Sequence, residues 1–261
     1  MIAHSFEAIV LGVIEGLTEF LPVSSTGHLI LASRWIHLPS SIESTFDVAI
    51  QLGAILAVVV YYWSFFKQWF KPSFWISKTA FLIYMGCLPA LILGFLSHKF
   101  IKTYLFSTPT VLAALVVGGI LMIWMQKRYT RNSQDDFLKL SLKQAFFIGV
   151  WQCLALWPGM SRSASTIMGG LGLGLSYAAS AKFSFILAVP IMLAATTFDL
   201  AKNWAYITPE TLGLIGLGAA VSFVVALLAI RFFIQGIQKW KLIPFAIYRF
   251  VLAGVILYLL I

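Results

Sequence analysis

Glu15-Gly16-Leu17-Thr18-Glu19-Phe20-Leu21-Pro22-Val23-Ser24-Ser25-Thr26-Gly27-His28 and Pro158-Gly159-Met160-Ser161-Arg162-Ser163-Ala164-Ser165-Thr166 set carboxylates, an imidazole, a guanidinium and hydroxyls inside otherwise oily segments. Each of these groups loses hydration in a bilayer unless a partner or a water-filled chamber replaces it, so an intramembrane cluster is a functional hypothesis by default. Both stretches are broken by proline, at Pro22 and Pro158. The helical pieces flanking each break have roughly 14 to 16 residues, or 21 to 24 Å at 1.5 Å per residue, which is short for a crossing. The regions 6 to 37 and 143 to 175 therefore read as re-entrant helical hairpins. Their turns lie near the membrane middle, where irregular backbone is tolerated only against protein or water.

The surrounding chain supplies the membrane. Hydrophobic residues make up 61% and charged residues 10% of the sequence, far from the composition of a soluble domain. Apolar runs at 45 to 63, 75 to 97, 108 to 126, 183 to 200, 211 to 235 and 243 to 261 are each about the 20 residues that a crossing helix needs. The fold class expected is an all-α polytopic membrane protein with six crossings plus two re-entrant hairpins. The net charge of +9 comes from 18 Lys and Arg, mostly in short clusters between apolar runs. There they set topology and meet anionic lipid heads. No basic domain exists to carry nucleic acid, and that class of partner is excluded. Cys87 and Cys153 lie in apolar segments without metal-ligand spacing and read as buried thiols. The N-terminus, from Met1 to Glu7, lacks the basic region and cleavage site of a secretory signal, and no cleavage is expected.

The two halves repeat. Gly12, Val13, Leu17, Ser24, Phe46, Leu56 and Ala57 recur as Gly149, Val150, Leu154, Ser161, Phe183, Leu193 and Ala194, all at the offset of 137 positions that separates Gly12 from Gly149. The chain reads as a single integral membrane domain, 1 to 261, with a first repeat over 1 to 130, a second over 138 to 261 and a joint around Arg131 to Asp136. If each hairpin returns to the face it entered from, one face collects Lys67, Lys71, Lys78, Lys127, Arg128, Arg131, Lys139, Lys143, Lys182, Arg231, Lys239 and Lys241. The other holds Arg34, Lys99, Lys102 and Lys202. The positive-inside rule makes the first face cytoplasmic and places both termini outside. The halves are then inverted copies whose broken helices meet near the midplane.

Chemistry can be assigned residue by residue. Glu15 and Glu19, four apart, share one face of the first short helix. Pro22 ends that helix, because the residue before a proline is pushed out of the α region. Ser24, Ser25 and Thr26 fall where the next helix begins, as N-caps do, and the free N–H groups of a helix start suit a phosphate. His28 lies about one turn along and can face the same cavity. In the second hairpin Ser161 and Ser163 flank Arg162, whose planar fork matches phosphate oxygens, and the following helix is expected to start at Ser165 and Thr166. Two helix starts and a guanidinium facing each other form a receptor for a diphosphate. A lone serine in a membrane helix is more often an interhelical hydrogen bond, and Asp47 and Asp199, near helix ends, are explained by caps or by Lys202.

At these residues the chain resembles the bacterial undecaprenyl-diphosphate phosphatase family of the bacitracin-resistance type. The resemblance extends through Phe46-Asp47-Val48-Ala49-Ile50-Gln51-Leu52-Gly53, through Phe183-Ser184-Phe185-Ile186-Leu187-Ala188-Val189-Pro190 and to Pro244-Phe245-Ala246-Ile247-Tyr248-Arg249-Phe250. Two positions depart from the family pattern: Ala164 stands where glycine is usual, and Lys182 where an acidic residue precedes Phe-Ser-Phe. The resemblance implies removal of the terminal phosphate from undecaprenyl diphosphate in the bacterial inner membrane, recycling the lipid carrier for peptidoglycan synthesis and conferring bacitracin resistance. The expected partners are that lipid and the surrounding membrane lipids, with a homodimer as a further expectation.

The preferred scheme has Ser25 as nucleophile, His28 or Glu19 as base and Arg162 neutralising the transferring phosphoryl. Ser24, Thr26, Ser161, Ser163 and Thr166 bind substrate, and Glu15 with Glu19 holds a divalent cation, Mg²⁺ or Ca²⁺. Direct attack by water, or His28 as nucleophile, stays open. So does a different function class: a lipid-phosphate flippase or anion transporter using the same inverted-repeat pocket. The site is expected to open to the outer leaflet.

Overall fold

The computed structural model describes residues 4–36, 38, 43–129, 134–202 and 208–260. Among them the chain is helical, with a single isolated bridge between Gln134 and Leu175. Helix α1 (Ser5–Thr18) is followed by α2 (Ser25–Ala32), α3 (Glu43–Tyr61), a one-turn α4 (Trp63–Phe66), α5 (Lys78–Phe100) and α6 (Thr108–Arg128). The second half holds α7 (Leu142–Gln152), α8 (Arg162–Gly172), α9 (Tyr177–Lys202), α10 (Pro209–Trp240) and α11 (Ile243–Leu260). Helices α7 and α8 begin 137 positions after α1 and α2, so the offset seen in a few identities is the offset of the elements themselves. Arg131 in the expected joint lies outside the described residues.

Helices α5, α6, α9 and α10 are long and apolar enough to cross a membrane, and α3 with the short helices after it makes a fifth such segment, bent by 82°. Helix α11, the sixth expected crossing, is apolar but shorter. Outward faces are oily, as on Phe95 and Leu96 of α5, each 75% exposed. Water would penalise such a surface and lipid does not.

Local chemistry starts the helices where the sequence allows. Ser141 and Gln144 exchange side chain to backbone bonds in a capping box that opens α7. Thr208 caps α10, with Pro209 in its first turn, where a missing N–H costs nothing. Helix α1 lies on α10 and α7 lies on α5. Backbones meet at glycine in both places. A Cβ on Gly12 would sit 2.5 Å from the Gly218 carbonyl oxygen, and one on Gly149, 137 positions further along, would sit 2.6 Å from that of Gly86. Small residues at such crossings let helices approach closely when apolar transfer supplies no drive.

Both breaks differ in detail from expectation. Helix α1 stops at Thr18, four residues before Pro22, and its second arm α2 has only 8 residues, because Glu19 to Ser24 form the turn. In the second break the helix starts at Arg162, not at Ser165, because Ser161 is its N-cap. Ser24 and Ser161, 137 positions apart, both have φ of 72°.

Candidate active site

The turns of the two breaks face one another across a polar cavity of about 120 Å³. Its wall includes Glu19, Ser24, Ser25 and Thr26 from the first break, Pro158, Gly159, Ser161 and Arg162 from the second, and Gln51 from α3. Ser25, the first residue of α2, donates its hydroxyl to Glu19 Oε2 at 2.8 Å. The other carboxylate oxygen of Glu19 faces Arg162 Nη2 at 3.4 Å. Glu19 thus bridges the serine hydroxyl and the guanidinium.

Arg162 is held from behind. Its Nη1 donates to the Ser184 carbonyl at 3.0 Å, its guanidinium lies 5.6 Å from the centre of the Phe20 ring, and its Nε, buried, has no acceptor among the described residues. Thr166, buried, donates to the Arg162 carbonyl and is hydrogen-bonded to the Ser184 hydroxyl. Ser163, also buried, donates to the Leu21 carbonyl at 2.9 Å and so pins the start of α8 to the turn between α1 and α2. Ser24 and Ser161 are N-caps whose hydroxyls accept from Gly27 N and Ala164 N. Five polar groups expected to bind substrate thus divide: Thr26 lines the cavity, Ser24 and Ser161 line it while capping, and Ser163 and Thr166 build its frame.

His28 is engaged elsewhere. Its Nδ1 is 2.7 Å from the Ser24 carbonyl oxygen and its Nε2 is 2.8 Å from the Tyr248 hydroxyl, with the two rings stacked. Bonding to a carbonyl fixes the proton on Nδ1, which leaves Nε2 as acceptor for the tyrosine. Neither nitrogen is bonded to Ser25. Glu15 sits one turn behind Glu19, fully buried and beside its carboxylate, and among the described residues no N–H or O–H group donates to either of its oxygens.

Sequence reasoning missed Ser184, Gln51, Tyr248 and Arg249. Arg249 was findable: it is a charge inside the last apolar run, and the rule applied to the two breaks applies equally to it. Lys182 places its ammonium over the rings of Tyr62 and Phe137.

Residues 8–255 match the family model described as bacitracin resistance protein BacA. An undecaprenyl-diphosphatase of Desulfovibrio desulfuricans is 47% identical over 258 residues, covering 97% of each chain. One of Clostridium tetani is 47% identical over 264 residues, covering 97% of this chain and 95% of its own. A third, of Anoxybacillus flavithermus, is 47% identical over 268 residues, covering 98% and 97%. With identity at that level running from end to end, and with both sequence motifs converging on one cavity, the chain belongs to the bacitracin resistance protein BacA family.

Proposed function

We propose that this chain is an undecaprenyl-diphosphatase of the bacterial plasma membrane, releasing inorganic phosphate from undecaprenyl diphosphate and returning the monophosphate carrier to peptidoglycan synthesis. The observation that carries the reading is the contact of Ser25 with Glu19, opposite Arg162, where two helix starts meet. The prenyl tail stays in lipid beside the apolar helices while the diphosphate enters the polar cavity, so each part of the substrate is solvated where it lies.

Glu19 Oε2 takes the proton of Ser25 as Oγ bonds to the terminal phosphorus and the bridging P–O bond breaks, the electron pair leaving with the lipid monophosphate. Glu19 gives that proton to the departing lipid monophosphate and, as a carboxylate again, takes one from water as the water oxygen bonds to phosphorus and the P–O bond to Ser25 breaks; that proton returns to Ser25 Oγ as inorganic phosphate leaves. Arg162 and the N–H groups at the starts of α2 and α8 take up charge on the transferring phosphoryl, which is most of what phosphoryl transfer asks of a protein. His28, bonded to the Ser24 carbonyl, holds the cap before the nucleophile.

The adjacent carboxylates of Glu15 and Glu19 support a divalent cation in this reading. Among the described residues no N–H or O–H group donates to either buried oxygen of Glu15, whereas both oxygens of Glu19 are taken, by Ser25 and Arg162. Glu15 is the principal ligand in this reading, with Glu19 sharing. Mg²⁺ or Ca²⁺, hard ions that take oxygen ligands, would supply neutralisation of the diphosphate.

The matched offsets of the elements, the close-approach glycines Gly12 and Gly149 and the cross-packing of α1 on α10 and α7 on α5 support an inverted repeat with two re-entrant hairpins. Loop charge supports both termini outside and a cavity open to the outer leaflet. The same repeat favours a second reading, a flippase or anion transporter. Protein purified in detergent, with no membrane to cross, separates them: it releases phosphate from the diphosphate lipid and Arg162→Ala abolishes release, whereas a carrier releases none.

A further inference from the structure

Arg249 of α11 is a fully buried charge that the reaction scheme does not use. Four of its five N–H groups are spent on backbone carbonyls: Nε on Leu115, Nη2 on both Ala114 and Gly159, and Nη1 on Met160, all at 2.9 to 3.1 Å. Among the described residues no carboxylate pairs with it. An uncompensated guanidinium inside an apolar fold is expensive, and one that grips carbonyls from two elements has a geometric task. Gly118 of α6 makes room for it, since a Cβ there would lie 2.2 Å from Nη2.

Two of the carbonyls it grips, those of Gly159 and Met160, belong to the turn of the second break, and the other two belong to α6. In a trans peptide the C=O and the following N–H point in opposite directions, and every peptide described here is trans. Drawing the Met160 carbonyl onto Arg249 therefore turns the Ser161 N–H away from α11. That N–H has no protein acceptor among the described residues, and Ser161 lines the cavity, whereas Arg249 does not. Ser161 is also held at φ of 72°, a conformation that residues with a Cβ resist and that its surroundings must impose.

We propose that Arg249 is a positioning residue: by clamping the Gly159 and Met160 carbonyls it aims the Ser161 N–H into the cavity as an anion-hole donor for the transferring phosphoryl. The proposal rests on the phosphatase reading above. Losing one such donor lowers kcat about 10² to 10³-fold. Lysine keeps the charge but lacks the planar fork that reaches four carbonyls.

The test compares Arg249→Met, Arg249→Lys, Gly118→Ala and the double variant Gly118→Ala/Arg249→Met in detergent, with kcat expressed per folded molecule from the melting transition and elution profile. The expected result is a fall in kcat of about 10²-fold in each single variant, with KM within threefold, and a double variant no slower than Arg249→Met. Gly118→Ala acts on the clamp from another helix, so it carries the test if Arg249→Met does not fold. Wild-type kcat per folded molecule in Arg249→Lys and Gly118→Ala, or multiplicative losses in the double variant, would overturn the proposal. Binding of inorganic pyrophosphate by wild type and variants is measured in parallel. If wild-type protein hydrolyses nothing, the phosphatase reading fails by itself, and a tenfold or greater loss of pyrophosphate affinity in Gly118→Ala still reports the clamp, while unchanged affinity refutes it.

Discussion

Ser25 and Glu19 are already bonded as proton donor and acceptor at 2.8 Å, so passing the proton asks for no side-chain rearrangement. Glu19→Gln keeps the shape and removes the base, and should lower kcat by about 10² to 10⁴-fold, the usual worth of a general base. Ser25→Ala should abolish a trapped phosphoenzyme together with turnover; near-normal phosphate release from it would install water as the direct nucleophile. His28→Asn should slow the reaction by loosening Ser24, yet the trapped adduct should remain phosphoserine. Recovery of phosphohistidine from wild type would reverse that assignment. Glu15, to whose oxygens no N–H or O–H group donates among the described residues, should show its role in cation dependence: chelation stops release, Mg²⁺ or Ca²⁺ restores it, and Glu15→Gln raises the half-saturating concentration at least tenfold. Much of this was legible in residue type alone, because carboxylates and a guanidinium in oily segments advertise themselves. Which nitrogen of His28 meets which partner was not, since Tyr248 lies 220 positions away and no local spacing encodes such a contact.

At the scale of the helix starts, Ser24 and Ser161 combine a stabilising cap with a strained backbone. A Ser cap contributes about 1 kcal/mol over Ala, while glycine loses only a few tenths of it and relieves a φ that non-glycine residues adopt at a cost of order 1–3 kcal/mol. Ser161→Gly should therefore be at least as stable as wild type in detergent, and Ser161→Ala should be less stable by about 1 kcal/mol, as read from denaturant midpoints. Equal losses in both would mean that the backbone is not strained there. The break itself was readable from Pro158 and Gly159, but the helix start three residues ahead of expectation was not. Serine signals a cap wherever it occurs, and in a run of Ser161, Ser163 and Ser165 only the tertiary grip on the preceding turn selects among them. Gly159 belongs to that grip: its φ is 97° and a Cβ would meet the Val111 carbonyl oxygen at 2.7 Å.

For the molecule as a whole, apolar run length located the long helices but not their number, since four helices, or five segments with the bent α3, are long and apolar enough to cross where six were expected; the offset of 137 positions carries more weight on elements than on letters. Orientation is the remaining step, and loop charge makes it a definite expectation. Lys71 and Lys102, both exposed and on opposite expected faces, serve as references in a background with Cys87→Ala and Cys153→Ala. In intact cells a membrane-impermeant thiol reagent should label Lys102→Cys and spare Lys71→Cys until the membrane is opened. Thr26→Cys, in the cavity wall, should label from outside and be protected by added pyrophosphate, because an anion seated at the two helix starts covers it. Labelling of Thr26→Cys only after the membrane is opened, with Lys102→Cys still labelled outside, would turn the cavity to the cytoplasm while leaving the span order intact. Exchange of the two lysine references would invert the whole chain, and the positive-inside argument would fail with it.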